Sequence, residues 1–189
     1  MKSVIAVSIF LASVTFAQTG STQPGKGGTP MHGTTQMSDQ AFLTKAIQGN
    51  LAEIKLGELA QQNASNQAVK QFGERMVTDH TNLNEQAKSL AAQKGMTPPS
   101  SPNAKQDATY NSMQSKTGAA FDKAYMTDML KDHRMDISEF EKEATNGNDP
   151  DVKALAQKAL PILQEHLRLA ETTAKQVGVS TGSTTGGMR

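Results

Sequence analysis

From Ser38 to about Val179, apolar residues recur every three to four positions between a few short breaks, which is helical rather than strand periodicity. Ser38 supplies an N-cap, and the run from Asp39 to about Asn63 places Phe42, Leu43, Ala46, Ile47, Asn50, Ile54 and Gly57 on one face. A second run opens after Ser65 and ends near Lys94, before Gly95 and Thr97-Pro98-Pro99; its stripe is Val69, Phe72, Met76, Leu83, Ala87 and Leu90. A third long run begins around Gly118 and stops at Asn146-Gly147, with Tyr125, Met126, Met129, Leu130, Ile137, Phe140 and Ala144 on one side. Asp149 and Pro150 mark the start of a fourth, ending before Gly178, with Val152, Leu155, Ala159, Ile162, Leu163, Leu169 and Ala170 inward.

The connections between the first and second and between the third and fourth long helices are short, so each pair forms an antiparallel hairpin. Between the hairpins lies a long segment, Pro-rich at first, with room for a short helix from Asn103 to Met113. The expected fold class is therefore all-α, a four-helix bundle with the long connection between helices two and three that a ferritin-like crossover requires. An up-down-up-down arrangement remains open.

The bundle region is flanked by segments of different character. Lys2, the apolar run Val4 to Phe16 and the small residues Thr15 and Ala17 read as a signal peptide, 1–17, cleaved before Gln18. That run is too short for a permanent span, and no later segment has the roughly 18 apolar residues of a transmembrane helix. The protein is expected to be exported, periplasmic or extracellular, free or associated with the outer membrane. Residues 18–37 form a Gly/Ser/Thr/Pro linker and 180–189 a flexible tail, both too poor in apolar groups to repay the entropy of ordering. His32 falls in the linker. The domain is thus 38–179, a size suited to one core.

Charge narrows the partners. Lys2 is the one charged residue before Gln18, so the mature chain carries 18 basic and 18 acidic residues and no net charge. Nothing in that balance favours nucleic acid or an anionic membrane. The chain has no cysteine, which removes lipid attachment at the cleavage site and disulfides alike. The sequence does not identify a protein partner.

One local pattern occurs three times: Met76-Val77-Thr78-Asp79-His80, Met129-Leu130-Lys131-Asp132-His133 and Ile162-Leu163-Gln164-Glu165-His166. Each histidine lies near the middle of its helix on the apolar side, and Glu53 is near the middle of the first. Helices of similar length packed side by side align at their midpoints, so His80, His133, His166 and Glu53 are expected within about one turn in height. Burying several polar groups costs kilocalories each unless they are paired or ligated. A metal site with these four ligands is one answer. A His/carboxylate network that fixes packing in a helical interaction module is the other, and a metal-dependent enzyme with an open coordination position is a third.

Around that site, Asp79, Asp132 and Glu165 each precede a histidine and project about 100° away from it, a placement suited to accepting the ring N–H of a neighbouring helix. Asp136 lies one turn after His133, and Tyr125 is a further hydrogen-bonding candidate. Glu58 is a weaker alternative to Glu53. Asp122 is three turns from His133 and is read as structural. No nucleophile motif or Gly-rich phosphate loop points to a reaction.

The segments Ala52 to Gly57, Met76 to His80, Phe121 to Tyr125, Met129 to His133 and Leu160 to Leu167 together resemble the bacterial family of domain of unknown function 4142, over about Ser38 to Gly178. The resemblance implies an exported four-helix bundle of the ferritin-like type and brings no established activity. True di-iron proteins of that fold carry Glu-x-x-His on two helices. Val77 and Leu163 stand three residues before His80 and His166, so a carboxylate-bridged di-iron centre is not expected. Three histidines and one carboxylate suit a single Zn, Fe, Mn or Cu ion.

Overall fold

The computed structural model describes residues 38–182. The expected signal peptide 1–17, the linker 18–37 with His32, and residues 183–189 of the expected tail lie outside the described residues. Five helices follow one another: α1 (Asp39–Asn63), α2 (Gln67–Gln93), α3 (Ala104–Gln114), α4 (Gly118–Asn146) and α5 (Pro150–Gln176). Among the described residues there is no strand, and no helix is long and apolar enough to cross a membrane.

The helix starts follow from capping chemistry. Ser38 accepts from the Ala41 amide, Asn66 from Ala68 and Asp149 from Asp151 and Val152, each satisfying donors that the first turn leaves unpaired. Asn103 and Gln106 form a reciprocal capping box on α3. Helix α5 runs through Pro161, which lies on its exposed side.

The ends of the helices fix the topology. Asp39, the first residue of α1, accepts from the amides of Asn148 and Asp149 in the α4–α5 turn, both at 2.9 Å. Asp122, at the start of α4, accepts from the amides of Ser65 and Asn66 at 3.0 Å and from Ser65 Oγ at 2.6 Å in the α1–α2 turn. Each hairpin therefore holds the turn of the other, and Ser65 serves Asp122 while Asn66 caps α2. Lys94, the C-cap of α2, reaches Asp149 and Asp151 at the start of α5. Helix α4 thus begins where α2 begins and runs parallel to it, so the segment from Lys94 to Gly118 must travel the length of the bundle. That is the crossover arrangement, and α3 packs along it against α1 and α4.

Two apolar clusters fill the two ends of the core. One joins Leu59, Phe72, Met76, Phe121, Tyr125, Met126 and Met129 and is closed by Met113 of α3; the other joins Phe42, Leu43, Ile47, Ala91, Val152 and Ala156. Some stripe residues sit at the edge: Ile54, Leu90, Ile137, Phe140, Ala144, Leu155, Ile162 and Leu169 are half-buried, whereas Leu56, Leu59 and Ala60 of α1 are fully inside. A bundle helix faces two neighbours, so its buried arc is wider than one stripe. At the other end of the chain Thr181 is buried, and its carbonyl accepts from the Arg134 guanidinium.

Helices α1 and α2 touch backbone to backbone at Gly57 and Gly73. A Cβ on Gly57 would stand 2.6 Å from the Gly73 carbonyl oxygen and 2.9 Å from Val77 Cγ2. Gly57→Ala is expected to destabilise the protein by about 2–3 kcal/mol through overpacking, despite the better helix propensity of alanine. Urea unfolding of the pair of proteins measures it, and equal midpoints would contradict the close approach.

Candidate metal centre

Between the two apolar clusters lies a polar layer. Asn50 and Glu53 of α1, His80 and Asn84 of α2, His133 of α4 and His166 of α5 are all buried, with His133 and His166 at 0% exposure and His80 at 2%. The three imidazoles meet: one ring nitrogen from each lies within 4.8 Å of the others. Ring centroids are 5.2 Å apart for His80–His166, 5.3 Å for His133–His166 and 5.8 Å for His80–His133.

The outward nitrogen of each ring is tied to an acceptor. His80 Nδ1–H donates to Asn50 Oδ1 at 2.8 Å. His133 Nδ1–H donates to the carbonyl of Met129 at 3.0 Å. His166 Nε2–H donates to Asp79 Oδ2 at 2.8 Å. These contacts fix the tautomers and leave His80 Nε2, His133 Nε2 and His166 Nδ1 as the inward nitrogens. His80 Nε2 has no hydrogen-bond partner, and His133 Nε2 faces His166 Nδ1 at 3.3 Å.

Burial and mutual proximity keep the rings neutral. The His80 pKa is held well below its ordinary value by burial, then by His133 and His166. His133 is lowered to about 4 by burial and by His166. His166 is lowered by burial, against the pull of Asp79. With all three neutral, three lone pairs converge on one space, and two of them confront each other with no proton between.

The other expected site residues divide into two groups. Asp79 reaches a histidine on a neighbouring helix, and it is also held by Arg75 one turn earlier; burial raises its pKa, but the bonds from His166 and Arg75 outweigh that and lower it. Glu165 is not brought to the histidines. Its side chain is 42% exposed and grips Arg168 through both oxygens, 2.7 and 2.8 Å, on the outer face of α5. Tyr125 is buried but stands eight residues, about 12 Å along the axis, from His133, too far for a bond to the rings. Its hydroxyl has no partner, and its pKa is raised well above the ordinary value by burial, then Glu53 and Asp128. Glu58 is exposed.

Glu53 lies outside the group of three imidazoles. Asn50, three residues or about 4.5 Å earlier on α1, takes the place beside His80. The Glu53 carboxylate faces Asp132, Asp136 and Asp128 instead, and burial followed by these like charges holds its pKa well above the usual range. The four acids border a cavity of about 250 Å³ between α1, α3 and α4, which His80 also lines. Burial, then Asp132, pushes Asp128 up to about 6 and Asp136 up to about 7, and burial raises Asp132. Asn50 and Asp128 carry no motif of their own; the one signal in the sequence was a polar residue, Asn50, within an apolar stripe.

The family of the domain of unknown function DUF4142 matches residues 25–173. No curated protein matches the chain significantly. Among solved structures, a DUF305 protein from Streptomyces coelicolor is similar at TM-score 0.64 and 12% identity, covering 80% of this chain and 99% of its own. CopM in its Cu(II)-bound form is similar at TM-score 0.63 and 16% identity, covering 75% of this chain and 99% of its own. CopM in its Cu(I)-bound form gives 0.62 and 17%, covering 75% and 98%. At these identities the likeness is one of fold.

Proposed function

The chain belongs to the DUF4142 family, and for it we propose transition-metal binding, with His80, His133 and His166 as ligands of a single ion. The observation that carries this reading is the convergence of three neutral, buried imidazole lone pairs. Two nitrogens about 2.0–2.1 Å from a tetrahedral ion stand about 3.3–3.4 Å apart, and His133 Nε2 and His166 Nδ1 are separated by 3.3 Å. His80 Nε2 would close on them by about 1–1.5 Å. Each ring is oriented by its outer hydrogen bond, and Asp79 with His166 makes the carboxylate–histidine pair common around bound metals. Three protein ligands would leave a four-coordinate ion one position for water or another ligand.

Imidazole suits copper, zinc and iron. The copper-bound states of CopM, a protein of the same fold, make copper the first ion to test. In this reading the protein works outside the cytoplasm, exported by residues 1–17, in metal handling or stress defence. Untagged protein loaded with Cu(II) or Zn(II) and desalted should retain one equivalent by elemental analysis. No retained metal and unchanged melting with either ion would leave the polar layer as a packing network and end the proposal.

A further inference from the structure

The three imidazoles have two sides, and the structure closes one of them. On the side between α2 and α5, Asp79 bonds His166 Nε2 and is itself held by Arg75, so a side-chain pair covers the approach. On the side toward α1, α3 and α4, His80 lines the acidic cavity, and its Nε2 has no partner. Glu53 lines the same cavity at 3% exposure, and its Oε2 is buried without a hydrogen bond. A second unpartnered oxygen, Asp128 Oδ2, is on α4. Glu53, Asp128 and His80, each with a buried acceptor atom that lacks a hydrogen bond, thus line one cavity.

We propose that this cavity is the cation's admission subsite: a divalent ion that keeps part of its water shell is first held by Glu53, Asp128 and Asp136 and passes from there to the imidazoles by way of His80. The inference rests on the metal-binding reading above. At about 250 Å³ the cavity has room for an ion with several waters, each needing about 30 Å³. Its carboxylates are hard oxygen donors that suit a hydrated cation. Among the described residues, only the imidazoles form a group of three donors within reach of one ion, so the acids hold the cation loosely and release it inward. Lys105 and Lys131 line the cavity too and Lys45 is occupied by Glu139 at 2.6 Å, so carboxylates outnumber free cations there.

The test is the rate at which metal-free full chain takes up Co(II), followed by the visible absorbance of the imidazole-bound ion in a stopped-flow instrument. The variant is Glu53→Gln/Asp128→Asn/Asp136→Asn, which keeps shape and removes charge. Uptake should slow by about tenfold or more, in the range of electrostatic steering, and release should slow in step, so that affinity changes by less than about threefold. Raising salt should slow the wild type and leave the variant nearly unaffected. Should the triple variant fail to fold, Asp136→Asn alone should still slow uptake by about threefold. A variant that loads as fast as wild type overturns the admission subsite while the imidazole centre stands. Faster release with lost affinity also overturns it, because the acids would then be ligands of the centre. A wild type that takes up no Co(II) removes the centre itself, and the subsite with it.

Discussion

Metal affinity should fall by more than about 100-fold when His166 is replaced by alanine, and a second replacement, His133→Ala, should add little to the first. The reference for that magnitude is the outer partner: loss of a group that orients a ligand histidine costs about 10–100-fold, which is the expectation for Asp79→Asn. Removing a ligand itself must cost more. The non-additivity arises because nitrogens of one centre act as a unit, so the first loss already dismantles it. In thermal terms, metal at about 1,000 times its dissociation constant stabilises the wild type by about 4 kcal/mol, or roughly 8–16 °C for a domain of this size. Calorimetric titration and melting with and without Cu(II) and Zn(II) measure both quantities. Equal shifts in wild type and His166→Ala for every metal would place binding elsewhere.

Between pH 8 and pH 6 the stability of the metal-free protein should stay level to within about 1 kcal/mol, because carboxyl and histidine contributions of about 2–3 kcal/mol each oppose one another. Three carboxyls act in one direction. Burial and Asp132 raise Asp136 to about 7, burial and Asp39 raise Glu143 to about 7, and burial and Asp132 raise Asp128 to about 6. Their unfolded values lie near 4, so between pH 8 and pH 6 these carboxyls gain protons in the folded state and not in the unfolded one, and their contribution to stability rises as pH falls. A group titrating at 7 contributes about 1.3 kcal/mol over that interval, discounted here because Asp136 and Asp128 are partly exposed. The histidines act in the opposite sense over the same interval, by up to about 0.8 kcal/mol each, because the unfolded chain lets them take up protons near 6.5. Their folded pKa values are depressed, so the stability they contribute is present above about 6.5 and is lost as pH falls toward about 4, where His133 titrates. The two effects leave a broad optimum between about pH 6 and pH 8. Melting temperatures across pH 5 to 8 decide the matter, and a curve that climbs steadily to pH 8 would contradict it. Glu53→Gln, which removes a carboxyl raised in the same direction, should leave the histidine contribution in excess and move the optimum to higher pH.

Much of the scaffold was legible because it is written in local chemistry. Ser38, Asn103 and Asp149 are caps that act on amides two or three residues away, and Gly147 and Gly178 end runs whose apolar spacing is helical, so element positions need no knowledge of the fold. The same spacing put His80, His133 and His166 on inner faces near mid-helix, and two short turns with one long connection pointed to the crossover. Convergence of the rings follows from aligned midpoints, which any packing of equal helices produces.

What the sequence could not decide was register and the outward bonds, because both depend on how one helix is set against another to within a single turn. A slide of one turn along α1 would exchange Asn50 for Glu53 beside His80, and the close backbone contact of Gly57 with Gly73 is what sets that register. Asp79 and Glu165 occupy the same place in the repeated motif, yet Asp79 faces α5 and bonds His166 while Glu165 faces solvent and bonds Arg168, since α2 has a neighbour on that flank and α5 does not. The acidic cavity exists because the crossover lays α3 over α1 and α4, bringing residues 53, 128, 132 and 136 under one roof. The sequence by itself thus determined the helices and their buried faces, through forces that act within one helix. Only the tertiary structure decided which nitrogen points inward and which carboxylate meets it, because those follow from contacts between helices that no local pattern records.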